Sequence, residues 1–205
     1  MFHPVGHPME RGWVGRIDRD RVVHLAAQTL QSFFTGGGTA REHAEYRLEE
    51  TVLLAPVLHP PSIRIFDAQA SFAFANPAAV VGPGAVVSGP TSSLVAHPHV
   101  AAIMGAGGEI GGFTVLAEWR ALGSEPPKDR DFALGLGPAV VTSGAGASAD
   151  GFDWLAAVEF AAAGTALHPG DILAAPASEP IVGEPGRVVA VPIEGIGALE
   201  QRVAA

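Results

Sequence analysis

Short runs of Val, Ile, Leu, Ala and Phe, broken at close intervals by Gly or Pro, dominate the chain. This pattern predicts many short strands joined by tight turns. Gly12–Ile17 and Arg21–Leu25 read as two strands around the turn Asp18-Arg19-Asp20. Leu25, Ala26, Leu30, Phe33 and Phe34 recur near helical spacing and stop at Gly36-Gly37-Gly38, which predicts a helix over 25–34. Residues 40–50 are charged and predict a second helix, and Val52–Leu58 reads as an apolar strand ended by His59-Pro60-Pro61. That proline pair is the expected boundary between a small N-terminal region, 1–60, and a larger domain, 61–205. Within the larger part Phe72–Ala75, Val80–Val87, Val95–Met104, Gly111–Leu116, Phe132–Val141, Ile172–Ala175 and Arg187–Ile193 read as strands, while Phe152–Ala162 fits either a strand or a helix. The expected class is α+β, predominantly β. A barrel or a sandwich would satisfy this pattern, and neither names a function.

Composition narrows the possibilities. With 205 residues, 48% of them hydrophobic and 16% charged, the chain can bury a substantial core, so it is not a disordered one. No apolar stretch approaches the ~20 uninterrupted residues of a membrane span, and the first 30 residues lack a basic start followed by an apolar block. These features predict a cytoplasmic protein without a membrane partner. Cysteine is absent, which removes disulfides, thiolate metal sites and cysteine nucleophiles together. A net charge of -9 with no cluster of Lys or Arg argues against nucleic acid.

One place gathers side chains that could hold a metal. Along a strand successive side chains alternate between faces, so His97 and His99 in Val95–Met104 share a face, about 6.6–6.8 Å apart along the chain. A Gly-rich turn and a second strand could bring Glu118 alongside, giving two imidazoles and a carboxylate around one ion. The alternative is a pair of surface histidines around an edge proline, Pro98. Gly105-Ala106-Gly107-Gly108 lacks a following Lys-Ser/Thr and reads as a turn rather than a phosphate loop. His168-Pro169-Gly170-Asp171 also reads as a turn, Glu109 and Asp153 as solvated, and Ser88, Ser92 and Ser93 lack partners for a hydrolytic triad.

Several short tags then follow in order: Leu53-Leu54-Ala55-Pro56-Val57, Pro60-Pro61-Ser62-Ile63-Arg64, Asn76-Pro77 with Val81-Gly82-Pro83-Gly84, and Gly112-Phe113-Thr114-Val115. After them come Asp131-Phe132-Ala133 leading to Leu136-Gly137-Pro138, then Leu167-His168-Pro169-Gly170-Asp171-Ile172, and Ile193-Glu194-Gly195-Ile196-Gly197-Ala198-Leu199. This series resembles the fumarylacetoacetate hydrolase family from about residue 12 to the C-terminus. The resemblance implies a β-roll or mixed β-sandwich C-terminal domain behind a small N-terminal region, in a homodimer. It also implies a divalent metal, commonly magnesium or manganese, and a small carboxylic acid substrate of the 2-oxo or β-dicarbonyl type, handled by C–C hydrolysis, decarboxylation, isomerisation or hydration.

Transferred residue by residue, the resemblance puts His97 and His99 where the family has a Glu-any-Glu pair, and Glu118 where it has an Asp. A further acidic ligand after Ser-Ile-Arg becomes Ile65, with Asp67 close but out of register, and the family's catalytic histidine has no counterpart in the shortened stretch after Phe66. The family lysine before Asp-Phe-Ala is Arg130, which keeps the charge but cannot readily carry a proton. Ala175-Pro176-Ala177 replaces a Gly-Thr-Pro stretch that helps hold substrate. Leu122 stands where an arginine is expected, and Arg120 could substitute from another angle. The resulting expectation is metal ligands His97, His99 and Glu118, catalytic Arg130 and Glu118, and substrate contacts from Arg130, Arg120 and Trp119. Two imidazoles favour zinc, iron, nickel or manganese over magnesium. Without a water-activating histidine, enolisation or decarboxylation survives better than hydrolysis. Two other readings stand beside this one: a catalytically degenerate structural or regulatory subunit, and a metal-free biosynthetic catalyst that uses the same three residues as acids and bases on a diketone.

Overall fold

The computed structural model describes residues 1–142, 149 and 151–205. Its centre is a long antiparallel hairpin, Leu94–Met104 against Ile110–Ala121, closed by a turn in which Gly107 (φ 67°) and Gly108 (φ 79°) take the left-handed conformation that glycine adopts without steric cost. Both strands are almost wholly buried, which explains why Leu94–Met104 reads as a continuous apolar run rather than an alternating one.

Around this hairpin an eight-stranded mixed sheet is ordered Ser71–Ala75, Ile63–Ala68, Ile172–Ala174, Leu94–Met104, Ile110–Ala121, Leu134–Val141 and Val80–Val81, with Ile181–Gly183 as a second neighbour of Leu94–Met104. The pairs Ile172–Ala174 with Ile63–Ala68 and Leu134–Val141 with Val80–Val81 are parallel; the rest are antiparallel. A three-stranded sheet of Val188–Ile193, Gly197–Val203 and Val86–Val87 covers one face. Between the two sheets Leu94, Ala96, Val115, Ala117 and Trp119 meet Val189, Val191, Leu199 and Val203. On the other face Ala101, Ile103, Leu116, Leu134 and Leu136 pack with Ile63, Ile65, Ala174 and, from the N-terminal part, Leu30, Phe34, Ala55 and Val57. The α+β, predominantly β class and the mixed sandwich are therefore as expected.

In the first 60 residues Phe2–Pro4 pairs with Thr51–Leu53, and Gly15–Asp18, Arg21–Leu25 and Glu42–Arg47 form a three-stranded sheet. Here the sequence misleads in places. The charged segment 40–50 is a strand followed by a short 3-10 turn rather than a helix. Its alternation is hidden because nearly every residue of Glu42–Arg47 is exposed, and the pairs Arg16–Glu42 and Arg21–Glu45 hold it across the sheet. The predicted helix is shorter than its apolar spacing suggests. It runs Leu30–Thr35 because Thr29 and Ser32 close a reciprocal capping box at its start. The segment left open between strand and helix is a helix, Trp154–Ala162. Asp153 caps it by accepting from the Leu155 and Ala156 amides, a role for a residue expected merely to be solvated. Among the described residues no helix is long and apolar enough to cross a membrane.

Candidate functional site

Strand register decides which side chains meet. His97 lies directly opposite Glu118 and His99 opposite Leu116, so both imidazoles and the carboxylate share one face of the hairpin, as their spacing predicts. Arg120, two residues beyond Glu118, shares it too. Leu134 is the partner of Glu118 on the far side. The apolar core of this face thus ends in a polar cluster of His97, His99, Glu118 and Arg120.

Pro98 sits between the histidines in a central strand, where a proline normally breaks the ladder. It is tolerated because Ile172–Ala174 pairs only with 101–103 and Ile181–Gly183 only with 94–96, leaving a gap between them. The loop after Ala174 crosses that gap. Ser178 N donates to Pro98 O at 2.8 Å, so the side of Pro98 without an N–H faces this loop and not a strand. The edge-proline alternative therefore gives way to a local opening in an otherwise interior strand.

The same loop fixes the chemistry of His99. Its Nδ1 lies 2.8 Å from Ala175 O. A carbonyl can only accept, so Nδ1 carries the hydrogen and Nε2 is left with a bare lone pair. That Nε2 is buried, has no hydrogen-bond partner among the described residues, and lies 4.0 Å from Glu118 Oε2. Burial, first, lowers the pKa of His99; the Ala175 bond and Glu118 oppose this, while His97 and Arg120 add to it. The half-buried His97 is lowered by burial and then by Arg120 and Arg130, with Glu118 opposing. Both imidazoles are therefore neutral at pH 7.

Glu118 is almost fully buried and is held by Arg120, whose Nε and Nη2 both donate to Oε2, at 2.8 and 2.6 Å. Only the guanidinium is partly open, its side chain being 32% exposed. Arg130 lies on a loop pinned to the end of the same strand by Ala121 N→Asp129 O and Trp119 N→Ala133 O, and it pairs with Asp129 at 3.2 Å.

Trp119 is corrected by the register. It points away from Glu118 and Arg120 into the core between the sheets, fully buried, and donates from Nε1 to Gln201 Oε1 at 2.7 Å. It cannot touch a substrate that the polar cluster holds. Ile65 is where the resemblance leaves it: in register with Ala174, which is in register with Ala101, it forms an aliphatic row one step beyond His99.

The donor set falls short of what a divalent metal requires. Among the described residues no group of three or more His, Cys, Asp or Glu side chains is arranged to hold one. Two neighbouring ligands on a tetrahedral ion lie about 3.4 Å apart, and His99 Nε2 and Glu118 Oε2 are 4.0 Å apart. More decisively, the oxygen that faces His99 is already covered by a guanidinium, and the cluster's only carboxylate is neutralised by it. Ile65 contributes no further ligand. As arranged, these residues do not fit the metal that the resemblance implies.

Two cavities lie away from this cluster. One of about 350 Å³ is bounded by Phe2, Val22, Phe33, Leu53 and Pro138–Thr142, and another of about 350 Å³ by Val100, Phe152 and Pro176–Ser178. Approach to the polar cluster is past the partly exposed His97 and Arg120.

No protein-family model matches this chain, and no curated protein does. Solved structures do, and together with the sheet order and the two-sided core they define a fumarylacetoacetate hydrolase-like fold. Among them, maleylpyruvate hydrolase from Sphingobium sp. SYK-6, in complex with manganese(II) and pyruvate, is 18% identical over 95% of this chain and 97% of its own, with a TM-score of 0.75. A 2-hydroxyhepta-2,4-diene-1,7-dioate isomerase from Mycobacterium marinum is 22% identical over 94% and 92%, with a TM-score of 0.75. A 2-keto-3-deoxy-D-arabinonate dehydratase complexed with magnesium and 2,5-dioxopentanoate is 14% identical over 99% and 97%, with a TM-score of 0.77. At these identities the likeness is one of fold.

Proposed function

We propose that the chain is an enzyme for a small 2-oxo or β-dicarbonyl acid, working by enol–keto interconversion or decarboxylation at the His97, His99, Glu118 and Arg120 cluster. The observation that carries the reading is a neutral, half-exposed imidazole set directly opposite a buried carboxylate–guanidinium pair. The structural neighbours named above, a hydrolase, an isomerase and a dehydratase, support the substrate class.

In this reading Arg130 binds the substrate carboxylate and the open edge of Arg120 faces the carbonyl oxygen. His97 takes a proton from the carbon next to that carbonyl. The C–H electron pair becomes the enolate double bond, and the charge arriving on oxygen is met by Arg120. The imidazolium is favoured by Glu118 and returns its proton to complete the exchange. In a decarboxylation the C–C bond to the leaving carboxylate supplies the electron pair instead, carbon dioxide departs, and the enolate carbon takes its proton from solvent, relayed by His97, which is neutral at the outset. Neither path needs an activated water, in keeping with the absence of a residue in the family's histidine position.

Proton–deuterium exchange at C3 of pyruvate or oxaloacetate, followed by NMR in chelated buffer, tests this. Exchange above buffer background, reduced about 10²–10⁴-fold by His97→Asn, is expected. Background exchange with every 2-oxo acid tried would overturn it. That result would favour the second reading, a degenerate relative kept as a subunit, for which the aliphatic row Ile65, Ala174 and Ala101 beside His99 is the specific support.

A further inference from the structure

Three facts about Glu118 and its neighbours remain after this proton chemistry. Its Oε2 accepts two bonds from Arg120. The bare Nε2 of buried His99 faces that same oxygen and has no donor of its own. The row one step beyond His99 on this face, Ala101, Ala174 and Ile65, is aliphatic. A site built for a divalent ion gathers negative charge and leaves carboxylate edges open. This one has a single carboxylate and has closed it with a cation from the same strand.

We propose that the Arg120 guanidinium is the resident cation of this site, standing in for a divalent metal, and that its removal uncovers a latent metal site at His97, His99 and Glu118. A guanidinium delocalises one positive charge over a planar fork that matches carboxylates, so it can hold a small anion and stabilise an enolate without a metal. It also repels any dication that would share Glu118. A +2 ion and a guanidinium a few ångströms apart are strongly unfavourable even at an effective dielectric constant of ~20. Loss of the guanidinium leaves a buried carboxylate with no counter-ion next to two neutral imidazoles, one of them already oriented by Nδ1–H···O=C to present its Nε2. The anion arm of this proposal rests on the reading of the cluster as a substrate site; the cation arm does not.

The test uses full-length protein, stripped with chelator and dialysed, and needs no turnover. Zinc, manganese and nickel are titrated by calorimetry and thermal shift into wild type, Arg120→Gln, Arg120→Lys and the double variant Arg120→Gln/His99→Ala. Wild type and Arg120→Lys are expected to show no His99-dependent metal binding. Arg120→Gln is expected to bind one zinc at least about 100-fold tighter than wild type, with a Tm that zinc raises, and the double variant is expected to lose both. Circular dichroism identifies the folded variants, and Arg120→Lys provides a folded reference if Arg120→Gln is weakened without metal. Stoichiometric, His99-dependent metal in wild type would overturn the proposal, as would a folded Arg120→Gln that gains no metal. In the anion arm, oxalate is expected to bind metal-free wild type and to lose about 10- to 100-fold in Arg120→Gln. Metal gain in Arg120→Gln with no oxalate binding to wild type would uphold the cation and sink the substrate reading.

Discussion

Replacing Asp171 by Ala should cost more stability than replacing any other single residue of its turn. Asp171 is 2% exposed and ends the His168-Pro169-Gly170-Asp171 turn, where it makes two short bonds. Oδ1 accepts from Ser62 Oγ at 2.6 Å and Oδ2 from the His168 amide at 2.6 Å. Ser62 Oγ in turn accepts from Arg64 Nη1 at 2.6 Å, and Arg64 is itself buried at 5% exposure, its guanidinium lying over the rings of Phe72 and Phe74. A hydrogen bond to a charged group contributes about 1.5–3 kcal/mol, and Asp171→Ala removes two of them. It also removes the carboxylate from the chain of bonds that holds buried Arg64, whose Nε has no partner among the described residues even before the change. Breaking a buried charge network from one side costs about 3–5 kcal/mol, which sets the expected loss. For a domain of this size each kcal/mol moves Tm by about 2–4 °C, so Asp171→Ala should melt about 6–20 °C below wild type. Chemical denaturation with a double-mutant cycle to Arg64→Met measures the coupling directly. A loss under about 1 kcal/mol, or additive single effects, would show that the carboxylate does not hold Ser62 and Arg64 together.

Three further expectations follow from other contacts. A methyl group on Gly135 would collide with the Gln201 amide that receives the Trp119 indole N–H. Gly135→Ala should therefore destabilise by about 1–3 kcal/mol and shift the Trp119 fluorescence, whereas unchanged emission and stability would refute the contact. Because burial lowers the pKa of His99 in the folded protein, the unfolded chain binds a proton that the native state refuses once pH falls below about 6.5. Stability should then fall as pH drops from 7 toward 5, by up to about 1.4 kcal/mol per pH unit for that one proton. Denaturation midpoints across this range should flatten in His99→Gln, and an unchanged slope would count against a neutral, buried His99. Arg130→Ala should raise KM for a 2-oxo acid about 10-fold or more with a smaller change in kcat, as loss of a carboxylate anchor does; the opposite split would move Arg130 into the chemical step.

Most of the strand positions were legible because apolar runs bounded by Gly and Pro mark buried strands whatever their neighbours. Glu42–Arg47 was not, since a strand exposed on both faces carries no alternation and its order comes from cross-strand ion pairs that no local window contains. Ile181–Gly183 is likewise a short strand that pairs with the distant residues 94–96, whereas Ile63–Ala68 and Gly197–Val203 close local hairpins with Ser71–Ala75 and Val188–Ile193. The shared face of His97, His99 and Glu118 follows from a period of two, which also places Trp119 on the opposite side and Arg120 beside Glu118. The hydrogen bond between His99 and Ala175 spans 76 positions and has no local signature. The part of the site that the sequence conceals is thus the part made by the crossing loop.

That crossing loop has a consequence for any mutational survey. The group that decides which nitrogen of His99 is reactive is a peptide oxygen, common to all twenty amino acids, so a scan that swaps one side chain at a time at position 175 leaves it in place. Its influence would surface only on altering the main chain itself, by an amide-to-ester replacement there or by lengthening the stretch that carries it.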